Sequence, residues 1–225
     1  MKKPQDDKEA VKFQRLYAEK GVVNAQFRLA QMYYEGLGVA QDYKEALKWY
    51  QLVAEQGDAE AQRSLGEMYH EGLGVEQDYK QAVKWYRLAG YKGDADAQFF
   101  MGLFYAGLLC KNGEEIPKDY QKAVNWYLLS ATQRNATAQY NLGVMYTKGL
   151  GTPQNYKEAL RLFRLSAEQG YAQAQFNLGL MYDRGQGVSK DYKESVKWLK
   201  LSAEQRFEAA QFKLEVMHFN LSFLN

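Results

Sequence analysis

The sequence is poor in the residues that usually carry chemistry: among 225 residues there is one cysteine, Cys110, and there are two histidines, His70 and His218. A single thiol closes no internal disulfide, so the fold cannot depend on an oxidising compartment, although it is not barred from one. Two histidines far apart in the chain provide none of the convergent spacing that a metal needs, and no metal or cofactor is expected. Cys110 has no histidine near it in sequence to make its thiolate, and no catalytic residue is expected. Charge of one sign is also lacking. Lys and Arg number 29 against 27 Asp and Glu, for a net charge of +2. That balance is unlike the basic footprint demanded by a phosphate backbone, so nucleic acid is not an expected partner. No apolar run approaches the ~18 residues of a membrane span, and no membrane insertion is expected. The segment Met1-Lys2-Lys3-Pro4-Gln5-Asp6-Asp7 leads into no apolar stretch of the signal-peptide kind. As written the chain reads as cytoplasmic; a removed signal peptide would leave a periplasmic or secreted protein looking the same, so localisation stays open.

What the chain does have is a foldable composition, 46% hydrophobic and 25% charged, and a repeat. Ala-Gln recurs at 25–26, 61–62, 97–98, 138–139, 174–175 and 210–211, in steps of 36, 36, 41, 36 and 36 residues. Asp42-Tyr43-Lys44 returns as Asp78-Tyr79-Lys80, and Trp49-Tyr50 as Trp85-Tyr86 and Trp126-Tyr127. Five units follow, at 22–57, 58–93, 94–134, 135–170 and 171–206, with half units at 6–21 and 207–225. The chain thus starts and stops in mid-repeat, as capping halves or a piece of a longer array would.

Each unit predicts two helices. In the first, Ala25, Leu29, Met32 and Tyr33 form one apolar stripe of helical period, and Gly36 stops the helix. Asp42 is a natural N-cap, with Glu45 placed to complete a capping box; Asp78/Gln81, Asn155/Glu158 and Asp191/Glu194 repeat the pattern, while Asp119/Lys122 keeps the cap alone. Asp58 and Asp94 are placed to cap the first helices that follow them. Small residues (Ala25, Ala30 or Gly66, Ala46) allow close approach of helix axes. One helix pair cannot bury both its faces, whereas stacked pairs can, so the expected fold is an all-α, α/α solenoid. Gly36-Leu37-Gly38 follows a helix, not a strand, and no Lys-Ser/Thr comes after it, which excludes a phosphate-binding loop.

The run Ala61-Gln62, Leu65-Gly66, Met68-Tyr69, Gly72, Gly74-Val75, Asp78-Tyr79, Ala82 and Trp85-Tyr86 resembles the Sel-one-like repeat, a relative of the tetratricopeptide repeat. The resemblance covers essentially 6–217. It implies a right-handed superhelix with the first helices on its concave side, and a bacterial or eukaryotic adaptor, scaffold or inhibitor. The third unit departs from it with five extra residues around Cys110 and no second turn glycine. The paired cysteines of the cysteine-rich Helicobacter members are absent, and Gly-x-Gly-Val is missing after His218. His218 stands in the slot of Tyr33, Tyr69, Tyr105, Tyr146 and Tyr182, where a packing role is expected.

Positions 27, 31 and 34 of the first unit lie within about 60° of one another, roughly opposite the buried stripe. Their equivalents change along the chain, from Arg63, Glu67 and His70 to Phe99 and Leu103, then Tyr140 and Val144, then Phe176 and Leu180. A contiguous apolar strip of this kind marks interaction sites, and rigid aromatics favour interface centres. Asn141 and Asn177, one position along, are placed to hydrogen-bond an incoming backbone. The expected function is therefore protein or peptide binding through these residues, without enzymatic chemistry. The leading alternatives are an inhibitor or immunity protein that neutralises a bacterial toxin and, further off, a cell-wall-related hydrolase. The 106–118 insertion and the apolar end at 217–225 are further contact candidates, the latter for self-association.

Overall fold

The computed structural model describes residues 4–109 and 116–222. These form helices and loops, with no strand among the described residues, in two compact units, Met1–Lys118 and Asp119–Asn225. The first contains α1 (Pro4–Glu19), α2 (Val23–Glu35), α3 (Tyr43–Glu55), α4 (Ala59–Glu71), α5 (Tyr79–Tyr91) and α6 (Ala95–Ala106). The second contains α7 (Tyr120–Thr132), α8 (Ala136–Lys148), α9 (Tyr156–Glu168), α10 (Ala172–Arg184), α11 (Tyr192–Glu204) and α12 (Glu208–Ser222). Within each unit every helix packs on its neighbours in sequence, which is the stacking the repeat requires. Cys110, with the rest of 110–115, lies outside the described residues.

The expected caps are present. The Asp42 carboxylate accepts from the Lys44 and Glu45 amides at 3.0 and 3.1 Å, Asp58 from Ala61 at 2.8 Å, and Asp94 from Ala97 at 2.7 Å. Each such cap contributes about 1 kcal/mol. The reciprocal half of the capping box does not form. The Asp42 amide donates to the Tyr33 carbonyl at 2.9 Å, and Asp78, Asn155 and Asp191 do the same to Tyr69, Tyr146 and Tyr182. The tight turn after each first helix brings that carbonyl to the cap amide, so the donor is already satisfied. The glutamates turn outward instead: Glu45 pairs with Lys48 and Glu158 with Arg161.

Close approach depends on a missing side chain in the middle of the first helices. A methyl group on Gly66 would lie 2.7 Å from a ring carbon of Tyr86, and one on Gly143 would lie 2.8 Å from the Phe163 ring. Around these contacts Leu29, Leu65, Met101, Leu142 and Leu178 are fully buried, each contributing on the order of 2–3 kcal/mol of apolar transfer.

Two ladders of polar side chains run through the same core. The glutamine of each Ala-Gln, buried in all but the last pair, donates to a carbonyl at the end of the preceding helix, as Gln62 does to Ala54 at 3.1 Å and Gln98 to Gly90 at 2.9 Å. A second glutamine then donates to the first: Gln56 to Gln26 at 3.2 Å, Gln169 to Gln139 at 2.8 Å, and Gln205 to Gln175 at 2.8 Å. Position 92 carries lysine in place of that second glutamine, and its ammonium lies over Gly57. Gln62 Oε1 is consequently buried with no hydrogen-bond partner. Lys92→Gln is expected to complete the rung and to stabilise the protein by about 1 kcal/mol, with a higher urea midpoint at unchanged slope. An unmoved or lower midpoint would remove the ladder from the list of stabilising features.

Tyrosines of the second helices fill the space between repeats. Burial pushes the Tyr50, Tyr86 and Tyr127 hydroxyls well above the ordinary tyrosine range. In α2, Tyr34 is pushed up to about 12, by burial first and then by the Glu67 carboxylate that it hydrogen-bonds. The folded state thus favours the neutral phenol. That stability is fully present below the unfolded tyrosine value of about 10 and is lost as pH rises through the folded values. Near-ultraviolet phenolate absorbance is expected to rise in two stages, exposed tyrosines first, the second stage coinciding with loss of helicity. If all 18 tyrosines ionised together while helicity persisted, burial would not be what holds these hydroxyls neutral.

Candidate functional site

The first-helix side chains singled out by the repeat all prove half-buried, neither sealed nor fully free. In the first unit the polar set has partners inside the molecule. Arg63 reaches the capping carboxylate of Asp94 at 3.2 Å, and Glu67 holds the Tyr34 hydroxyl. His70 lies 3.3 Å from Glu71 and packs edge-on against Phe104, with ring centroids 5.7 Å apart. Phe99 tilts against Phe100, and Leu103 is half-buried on the same helix. A cleft of 580 Å³ between α2 and α4 is edged by Phe27, Arg28 and Gln31 together with Asp58 and Glu60, a mixed and largely polar lining.

A cleft in the second unit shares with that one only the positions of Phe27 and Gln31, here Tyr140 and Val144, and is otherwise lined from other places in the repeat. It has a volume of 420 Å³, and Tyr140 and Val144 of α8 face Asn177 and Leu180 of α10 across it, with Phe163 of α9 among the lining residues. Four of the expected site residues therefore come together here. Phe176 turns away, its ring 5.3 Å from that of Phe207. The two asparagines, alike in sequence, part company. Asn141 sits against the Tyr127 hydroxyl of the preceding second helix, opposing the upward push of burial. The residue that would play that part for Asn177 is Phe163, which has no hydroxyl. Asn177 is left on the cleft wall beside Tyr140, whose hydroxyl burial raises and the Asn177 amide lowers.

Sequence reasoning missed the rim. Lys148, Tyr156, Arg184 and Gln186 edge the cleft, beside Thr147 at the equivalent of position 34. Gln154 donates to the Thr147 carbonyl at 2.7 Å and to the Tyr156 hydroxyl at 3.1 Å, fixing the phenol at the cleft mouth. The available signal was a change of charge at one repeat position: Glu35 and Glu71 end α2 and α4, whereas Lys148 and Arg184 end α8 and α10.

A pair of positions 31 residues apart joins successive repeats next to these clefts. In the first unit it is the Arg63–Asp94 ion pair. In the second it is aromatic, Tyr140 on Tyr171 at 5.2 Å and Phe176 on Phe207 at 5.3 Å. Tyr171 thereby gives up the capping role, and α10 begins without a side-chain cap.

His218 does not pack as the tyrosine slot implied. It is exposed, because no described helix follows α12 to cover that position. Phe212 and Phe219 of α12 are also exposed. Among the described residues no His, Cys, Asp and Glu side chains are grouped so as to hold a metal ion. No helix of the described residues is long and apolar enough to cross a membrane.

The model of the Sel1 repeat matches five times, at residues 23–58, 59–94, 95–135, 136–171 and 172–207. The chain belongs to the Sel1 repeat family. Among solved structures of Sel1 repeat proteins, it is similar to c5321, a protective antigen present in uropathogenic Escherichia coli strains displaying an SLR fold. That likeness has 36% identity and a TM-score of 0.87 and covers 92% of this chain. The chain spans 43% of the length of that antigen. It is also similar to a Sel1 repeat protein from Oxalobacter formigenes, at 35% identity and a TM-score of 0.74 over 84% of this chain and 75% of that one. A putative Sel1 repeat protein from Klebsiella pneumoniae, at 21% identity and a TM-score of 0.51, covers 92% of this chain and 99% of its own, and shares the fold. A comparison with curated proteins finds no match. Sel1 repeat proteins generally mediate protein–protein interaction and are typically non-enzymatic scaffolds.

Proposed function

We propose that this chain is a protein-interaction module whose second unit receives a segment of a partner protein in the cleft between α8 and α10. One observation carries the reading: Val144 and Leu180 line an open cleft at the position where α2 and α4 carry Gln31 and Glu67. A fold that needed apolar residues there would have them in every repeat. Concave clefts that combine apolar surface with placed polar groups are where binding concentrates; here Val144, Leu180 and Phe163 are apolar, and Asn177 and Tyr140 are among the polar groups. Phe99 and Leu103 of α6 extend the same positions in the first unit and are proposed as secondary contacts. Arg63, Glu67, His70, Asn141 and Phe176 contribute chiefly by bracing the repeats, since each has an intramolecular partner and none lines this cleft, whereas Asn177 and Tyr140 meet each other on its wall. The test is retention of a partner from the native cell on the purified chain, compared with the Val144→Glu/Leu180→Glu variant. Loss of a specific bound protein with fold intact supports the assignment, and equal retention by both overturns it.

A further inference from the structure

We infer that the segment seated between α8 and α10 is acidic, a peptide stretch with carboxylates flanking one or two apolar anchors; this rests on the docking reading above. None of the eleven residues that line the cleft carries a carboxylate, while Lys148 and Arg184 stand at its rim. Both are exposed, and neither takes part in an ion pair among the described residues. The acid next in sequence, Asp183, is held by Lys213 at 2.8 Å and does not line the cleft.

A structural explanation for the two cations is their place in the last turns of α8 and α10, where the helix dipole favours positive charge. That explanation is insufficient, because α2 and α4 end in Glu35 and Glu71 at the same position and form equally well. The fold tolerates either sign, so the sign in the second unit is free to serve recognition. The neutral donors agree with the cations. Tyr156 accepts from Gln154, which leaves its own hydroxyl hydrogen to give to a carboxylate, and the Asn177 amide faces the same space. The apolar floor of Val144, Leu180 and Phe163 accommodates an anchor such as leucine or phenylalanine. Complementary charge at the rim sets partner choice and encounter rate, and the apolar floor sets how long the complex lasts.

The experiment is selection of a short-peptide display library on the purified full chain, followed by fluorescence anisotropy with synthetic copies of the selected peptides. Selected sequences are expected to combine Asp or Glu with Leu, Phe or Met. Copies with Gln for Glu should bind about tenfold more weakly, and Lys148→Glu/Arg184→Glu should cost the acidic peptides about tenfold or more. Lys148→Gln/Arg184→Gln is the milder companion, in case charge reversal disturbs the helix ends. Neutral or basic selected sequences, no selected sequence at all, or affinity unmoved by either rim variant would each overturn the inference. Neutral peptides that bind and are lost with Val144→Glu/Leu180→Glu would overturn the acidic assignment while leaving the cleft as the docking site. Peptides whose binding survives that apolar pair would sink both.

Discussion

Gly151→Ala is expected to destabilise the second unit by about 3 kcal/mol or more, whereas Gly149→Ala, two residues away, should cost only about 1 kcal/mol. Both glycines have φ near +67°, so both substitutions carry the same left-handed backbone penalty. They differ in what a methyl group would meet. On Gly149 the nearest atom is 3.5 Å away, an ordinary contact; on Gly151 the carbonyl oxygen of Tyr120 is 2.2 Å away and its carbonyl carbon 2.3 Å. Tyr120 opens the second helix of the preceding repeat. Relief therefore means moving one repeat's turn off the next repeat's neighbour, not rotating a side chain. Gly187, 2.4 Å by the same measure from the Tyr156 carbonyl oxygen, and Gly74, 2.5 Å from Tyr43, make the same junction elsewhere. Urea unfolding of the two variants separates the contributions. Equal midpoints for Gly149→Ala and Gly151→Ala would show that the junction gives way freely and that backbone conformation alone is at stake.

The second large effect is on binding. Val144→Glu/Leu180→Glu is expected to weaken the partner on the order of a hundredfold, because it places two carboxylates in the cleft centre where buried apolar area drives association. Both side chains are only half-buried, so the stability cost should stay near about 1 kcal/mol for each. Far-ultraviolet circular dichroism and Tm, measured beside retention, keep the two effects apart. Should the glutamates lower Tm sharply, Val144→Gln/Leu180→Gln removes the apolar surface without adding charge, and binding must still fall. A double variant that unfolds in both forms would identify Val144 and Leu180 as core. A well-folded variant that binds normally would place the interface elsewhere, the exposed Leu52 and Leu88 of the second helices being an open alternative.

The repeat, its helix pairs and most caps were legible because each is set within a few residues. Asp42 and Asp58 need only the amides that follow them, and Gly36 needs only its own backbone. Much of what was not legible depends on a residue of the neighbouring repeat. Asn141 and Asn177 look equivalent until Tyr127 and Phe163 are placed behind them, one with a hydroxyl and one without. The unmatched Gln62 oxygen follows from Lys92, and the capture of Arg63 follows from Asp94. The capping boxes failed for a more local reason, since the Asp42 amide that Glu45 was to satisfy is already bonded across the turn to the Tyr33 carbonyl of the same repeat. Periodic averaging hides such pairs, because it compares each position with its own equivalents and not with the residue it touches. The cleft rim was missed because the stripe at positions 27, 31 and 34 stops one residue short of the change from Glu35 and Glu71 to Lys148 and Arg184.

The coupled positions between successive repeats make the modules non-interchangeable. Transplanting the segment that carries Arg63 in front of the one that begins with Phe207 would set a guanidinium against a benzyl ring and strip it of its carboxylate. A duplicated or shuffled copy can enter this chain only if its seam is rewritten on both sides at once. The order of the repeats is thereby locked by their joints, and growth or loss of a copy is easiest where the two flanking seams are already of one kind.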